Sequence, residues 1–185
     1  GVTHAGPKET GTIRSVVPLG HLLCSGIGDT IRISYANDSA YEVQDGLEML
    51  YVLGLRQRIG AELIACPTCG RIQVDLFKLV QEVRKQLANE IKLPIKVAVM
   101  GCVVNGPGEC EGADIAIFAG DRRGIIYVQG ERVANVPEEE ILEALLKECR
   151  EFQEKVQRGE AKLGEKKVDV IPPDPIGELG SGWEK

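Results

Sequence analysis

Cys66, Cys69 and Cys102 are the residues of this chain whose type and spacing most clearly imply chemistry. The first two stand in Cys66-Pro67-Thr68-Cys69-Gly70, a turn expected between a short strand, 62–65, and a helix beginning near Leu76. Two thiols on such a turn can aim at one centre. Gly70 relieves crowding, and a nearby helix N-terminus favours the thiolate. Cys102 follows a second apolar strand, 95–100, and two strand ends meeting at one sheet edge would bring three sulfurs together. Zinc usually completes such a set with a fourth Cys or a His. Both histidines, His4 and His21, lie in another segment, so Cys110 is the thiol that keeps zinc open. The loop Asn105-Gly106-Pro107-Gly108-Glu109 favours the other answer, because it is a tight turn that delivers a carboxylate close to Cys102. Three thiolates and one weaker oxygen ligand describe an iron–sulfur cluster with an iron that a substrate can reach.

Composition sets the frame for this site. With 185 residues the chain can build one good core or two small ones, and 43% hydrophobic with 27% charged residues is an ordinary globular balance. A net charge of -6 and a pI near 5.1 argue against nucleic acid as the main partner, since phosphate neutralisation needs clustered Lys and Arg. No apolar run approaches the ~18 residues of a spanning helix, and no signal segment opens the chain, so the expected setting is the cytoplasm, away from membranes. There, a paired-cysteine turn is metal-binding or redox-active more often than a disulfide. Cys24 and Cys149 fall on expected helices and read as small buried hydrophobes.

The elements that must hold the site follow from periodicity. In the front segment, Thr12 to Ser25 has helical spacing despite Pro18, Asp29 to Tyr35 alternates as a strand, and Tyr41 to Leu55 is again helical behind capping residues Asn37 to Ser39. Two strand–helix units in a row imply a parallel sheet. Beyond a loop at 56–60, the spacing predicts a strand at 62–65, a helix at 76–91 capped by Asp75, and a strand at 95–100. Two further strands, 113–119 and 124–129, flank the turn Asp121-Arg122-Arg123, and 131–136 adds a third. Pro137 opens a helix running from Glu138 to about Gln157, its acidic start favoured by the helix dipole. Residues 158–185, rich in Lys, Glu, Gly and Pro, read as a flexible tail. The fold class is therefore α/β followed by α+β, divided at 1–58, 59–157 and 158–185.

ACPTCGR followed by MGCVVNGPGE, with GVTHAG and SGIGDTIRIS before them, resembles the C-terminal region of the 4-hydroxy-3-methylbut-2-enyl diphosphate synthases of the non-mevalonate isoprenoid pathway. The resemblance runs in order from Gly1 to about residue 150. It implies the last βα units of a TIM barrel, then an α+β domain similar to part of the sulfite and nitrite reductases. It implies a [4Fe-4S] cluster on Cys66, Cys69, Cys102 and Glu109. The reaction implied is the two-electron reductive opening of 2-C-methyl-D-erythritol 2,4-cyclodiphosphate, with loss of a hydroxyl as water and a substrate oxygen meeting the open iron. Flavodoxin or ferredoxin would supply electrons, and a homodimer would pair each cluster domain with the partner's barrel. Arg32 and Ser34 correspond to the strand end that faces the diphosphate, and Asn105 to a residue that reaches substrate from the cluster domain. Asp29 fits a turn-forming role.

Two departures qualify this likeness. The family pattern GVTEAG carries a Glu that is a candidate acid/base, and here His4 stands in its place. An imidazole transfers protons near neutral pH but differs in charge and reach. A barrel also needs eight strand–helix units, and this chain holds about two, opening without Met in mid-pattern. It reads as a fragment expected to bind a cluster but to turn over poorly alone. The competing readings are an electron-transfer module, which has no use for an exchangeable Glu109, and a zinc-stabilised structural domain using Cys110.

Overall fold

The computed structural model describes residues 1–4, 6–102, 110 and 112–164. The chain forms two compact units, Gly1–Arg58 and Ile59–Lys185.

The first unit contains helix α1 (Lys8–Cys24), an extended segment at 31–35, and helix α2 (Ser39–Val52). Asp38 caps α2 by accepting the Ala40 N–H at 2.9 Å, the cap expected of that Asn-Asp-Ser stretch. Helix α1 begins four residues earlier than the periodicity predicts, directly after Pro7. Pro18 is accommodated inside it because it lies on the exposed side, where the carbonyl left without a donor can meet water. The strand expected at Asp29–Tyr35 is not a strand here. Residues 31–35 are extended but carry no ladder of backbone hydrogen bonds. The physical reason is the lack of partners, since an alternating segment becomes a strand only when neighbours take up its N–H and C=O groups. One neighbour is present in part. Gly1 lies so close that a Cβ there would meet the Arg32 carbonyl, and Ala36 N–H donates to Gly6 C=O at 3.0 Å. Gly1 and Gly6 thus adjoin Arg32 and Ala36 in the same chain order. Ile33, Leu19 and Met49 bury a small core between the extended segment and the two helices.

The second unit is one five-stranded sheet in the order β1 (Glu62–Ala65), β2 (Lys96–Met100), β3 (Ile115–Gly120), β4 (Arg123–Val128), β5 (Glu131–Pro137). The first three strands are parallel and the last three antiparallel. Helix α3 (Leu76–Glu90) makes the crossover from β1 to β2, and α4 (Ile141–Gln157) returns over the sheet. A 3-10 turn at Glu138–Glu140 precedes α4, so the single helix expected from Glu138 starts at Ile141. Inward-facing Val97, Val99, Ile115, Ile117 and Ile126 meet Val83 and Leu87 of α3 and Leu145, Cys149 and Phe152 of α4. Ala98, Met100, Ala116 and Phe118 point to the other face and are buried with Cys110 and Ala113. The buried carboxylate of Asp114 is satisfied by the Lys96 N–H at 2.9 Å and the Gly164 N–H at 2.7 Å. Gln129 Nε2 donates to the Lys162 carbonyl at 2.7 Å, so residues 158–164, expected to be flexible, are tied to the sheet.

Candidate metal centre

Parallel pairing of β1 with β2 aligns Ala65 with Val99, so both chains leave the same sheet edge as cysteine segments. Cys66 N–H extends the ladder by one bond, to Val99 C=O at 3.3 Å. Gly101 N–H then turns inward and donates to Cys66 Sγ at 3.3 Å. Cys102 follows at once, 8% exposed, while Cys66 is half-buried and Cys69 is exposed. An N–H aimed at a sulfur is the kind of outer contact that orients a metal-bound sulfur. Such bonds also tune the potential of a cluster held by that sulfur. Gly101 suits this place because a Cβ there would stand 3.2 Å from Leu76 Cδ2 and 3.3 Å from Ile72 Cγ2. Its bare backbone lets β2 approach the start of α3, which Asp75 caps through the Lys78 N–H at 3.0 Å.

All six cysteines are free thiols. Among the described residues no three His, Cys, Asp or Glu side chains are gathered tightly enough to hold a metal ion. Asn105 and Glu109 lie outside the described residues. The part of the site that is described fits an iron–sulfur group in its chemistry, with soft sulfur donors at one edge, a backbone donor on one of them, and no histidine. Cys110 is fully buried among Met100, Ala116 and Phe118, and burial pushes its thiol up. Cys149 is buried as expected, and burial pushes its thiol up to about 12. Cys24 is instead exposed, because the last residue of α1 falls on the solvent side of that helix.

In the first unit, Arg32 is exposed and Ser34 half-buried, on either side of buried Ile33. Exposed His4 lies in the stretch between Gly1, which adjoins Arg32, and Gly6, whose carbonyl accepts the Ala36 N–H. A polar knot that sequence reasoning missed pins Tyr35. Asp45 accepts from Thr12 Oγ1 at 2.9 Å and from the Tyr35 hydroxyl at 3.0 Å, with Lys8 Nζ at 3.5 Å. Burial and then the neighbouring Asp45 push the Tyr35 phenol up, against the Thr12 bond, which lowers it. The Gly101 donor was also missed, since a backbone N–H leaves no mark on residue type.

Residues 62–151 match the GcpE protein C-terminal domain, and residues 1–47 match the GcpE TIM-barrel domain. The chain belongs to the GcpE family. It is 46% identical over 170 residues to a 4-hydroxy-3-methylbut-2-en-1-yl diphosphate synthase (flavodoxin) of Streptomyces coelicolor, covering 92% of this chain and 44% of that protein. It is 52% identical over 158 residues to the like-named enzyme of Desulfotalea psychrophila, covering 85% and 43%. A third such enzyme, from Caldanaerobacter subterraneus, is 53% identical over 152 residues, covering 82% and 42%. The chain thus spans under half the length of these GcpE relatives and corresponds to their C-terminal part. Its first 47 residues belong to the GcpE barrel, which explains the unpaired segment at 31–35. Among the described residues no helix is long and apolar enough to cross a membrane.

Proposed function

We propose that this chain is the C-terminal part of an enzyme that reductively converts 2-C-methyl-D-erythritol 2,4-cyclodiphosphate to 4-hydroxy-3-methylbut-2-enyl diphosphate. The observation that carries the reading is the Gly101 N–H to Cys66 Sγ bond at the edge where Cys102 also emerges. The names of the GcpE relatives supply the reaction. Cys66, Cys69, Cys102 and Glu109 would hold a [4Fe-4S] cluster in a domain of the sulfite-reductase kind. When bound, the cluster supplies the electrons of the reduction and a Lewis-acidic iron for the departing oxygen.

The chain's own residues do the rest. Arg32 presents a guanidinium fork that suits bidentate contact with a diphosphate, and Ser34 adds a hydroxyl. His4 would offer an imidazole as a proton-transfer group. Asn105 would orient substrate from the cluster domain. A flavodoxin is the donor that fits the relatives' names, in a reducing cytoplasm that keeps six thiols free. A homodimer would allow the cluster domain of one subunit to serve the barrel of the other.

Anaerobic reconstitution with iron and sulfide tests the reading. A brown protein with broad visible absorption, lost in Cys66→Ser and in Cys102→Ser, is the expected result. A colourless protein that takes up zinc through Cys110 would overturn it.

A further inference from the structure

The three parallel strands deliver three turns to one end of the sheet. β1 and β2 lead into the cysteine segments, and β3, which aligns Phe118 with Met100, leads into the hairpin at Asp121-Arg122. That hairpin is a two-residue turn closed by the Gly120–Arg123 pair, with φ of 51° and 58°, the left-handed conformation such a turn requires. Its backbone is held from both sides. Glu138 N–H donates to the Arg122 carbonyl at 3.0 Å, and Asp121 N–H donates to Gln73 Oε1 at 2.6 Å. Gly120 leaves room for the second bond, since a Cβ there would stand 3.0 Å from Gln73 Oε1. The hairpin is therefore a fixed post against which Gln73 can bear.

What Gln73 carries is the cysteine loop. At the near end, Cys66 is fastened to β2 by its own N–H on Val99 and by the Gly101 N–H on its sulfur. Cys69 follows, exposed, and its carbonyl accepts the Ile72 N–H at 3.3 Å to close a turn. At the far end Ile72 lies against Gly101, and Gln73 makes the bond to the hairpin. Cys69 thus stands between two anchors, one on β2 and one on the β3–β4 turn. Two sulfurs of such a loop serve one metal group only at a fixed separation, and contacts outside the ligands set it.

We propose that Gln73 is a positioning residue for the cluster: its amide oxygen, held by the Asp121 N–H, sets where Cys69 stands relative to Cys66. This rests on the cluster reading above and adds the residue that orders the ligand loop. Gln73 is exposed, and a hydrogen bond open to water adds little to global stability. Its loss is felt locally instead, as more frequent opening of the loop between Cys66 and Asp75. Each opening carries Cys69 away from the metal group while Cys66 stays on the ladder.

Two variants separate the acceptor from the bulk of the side chain. Gln73→Met keeps the length and removes the acceptor, whereas Gln73→Glu keeps an acceptor oxygen. After anaerobic reconstitution with iron and sulfide, Q73M is expected to release iron to a ferrous chelator about tenfold faster than wild type, the scale for losing an outer contact to a metal ligand. Q73E is expected to release it at the wild-type rate, and the Tm of the cluster-free chain should be the same in all three. Equal iron release in wild type and Q73M would overturn the proposal. So would release from Q73E as fast as from Q73M, since the amide would then act otherwise than through its acceptor. Amide hydrogen exchange on the cluster-free chain gives a second readout, in which the Ile72 N–H should exchange faster in Q73M than in wild type or Q73E. If wild type takes up no cluster, the proposed function fails on its own. The positioning role is then decided by exchange, where equal Ile72 rates in the three chains overturn it.

Discussion

At the scale of single residues, the site depends on what each sulfur sees. Cys66 receives a backbone N–H, whereas Cys110 is enclosed by Met100, Ala116 and Phe118. Substituting Cys110 by Ala is therefore expected to keep the cluster's visible absorption, and loss of the colour in that variant would return Cys110 to the ligand set. Glu109→Ala is expected to retain the colour and to change the electron paramagnetic resonance of the reduced cluster, because one iron alone changes its ligand. Cys149 predicts a pH effect with a definite sign. Its thiol is raised from 9.0 to about 12 in the folded chain, so at high pH the folded state holds a proton that the unfolded state has lost. Stability from this group is complete below about 9 and falls as pH rises towards 12. Urea unfolding of Cys149→Ala should show a shallower alkaline decline than wild type.

At the scale of elements, the sheet is held by contacts between segments distant in sequence. Asp114 joins the start of β2 to the chain beyond α4 through two N–H donors, from Lys96 and Gly164. Asp114→Ala removes a charged acceptor and strands both donors, a loss expected at about 2–4 kcal/mol in urea melts. A Cβ at Gly124 would meet Ile141 Cγ1 at 2.6 Å, so Gly124→Ala forces Ile141 aside and should cost about 1–3 kcal/mol by the same measurement. The two losses act at opposite ends of the sheet and should add in the double variant. Helix α3 was legible because Leu76, Val83 and Leu87 share one stripe and Asp75 offers a cap. The 31–35 segment was misread because alternation records which face a residue takes, while a ladder needs a neighbour that alternation cannot supply.

At the scale of the whole molecule, the first unit, whose residues 1–47 match the GcpE barrel domain, presents apolar side chains to solvent. Ile13, Val17, Val43, Val52 and Leu55 are each more than half exposed, an apolar surface that the further barrel units of full-length GcpE relatives would cover. The isolated chain is therefore expected to form the cluster yet to turn over the cyclic diphosphate far more slowly than a full-length relative assayed with the same flavodoxin. Comparable rates for the two would show that the chain needs no further barrel units.

By itself the sequence determined the candidate donors and the element pattern around them. Soft ligands with no nearby histidine, a turn rich in Gly and Pro, and a strand–helix–strand order are all properties of residue type and spacing. Tertiary structure alone decided which backbone N–H meets Cys66, that Cys24 is exposed while Cys110 is enclosed, and that Gln73 fastens the cysteine loop to the β3–β4 hairpin. The physical reason is that hydrogen bonds and burial depend on segments brought together from far along the chain, and residue spacing carries no record of that approach.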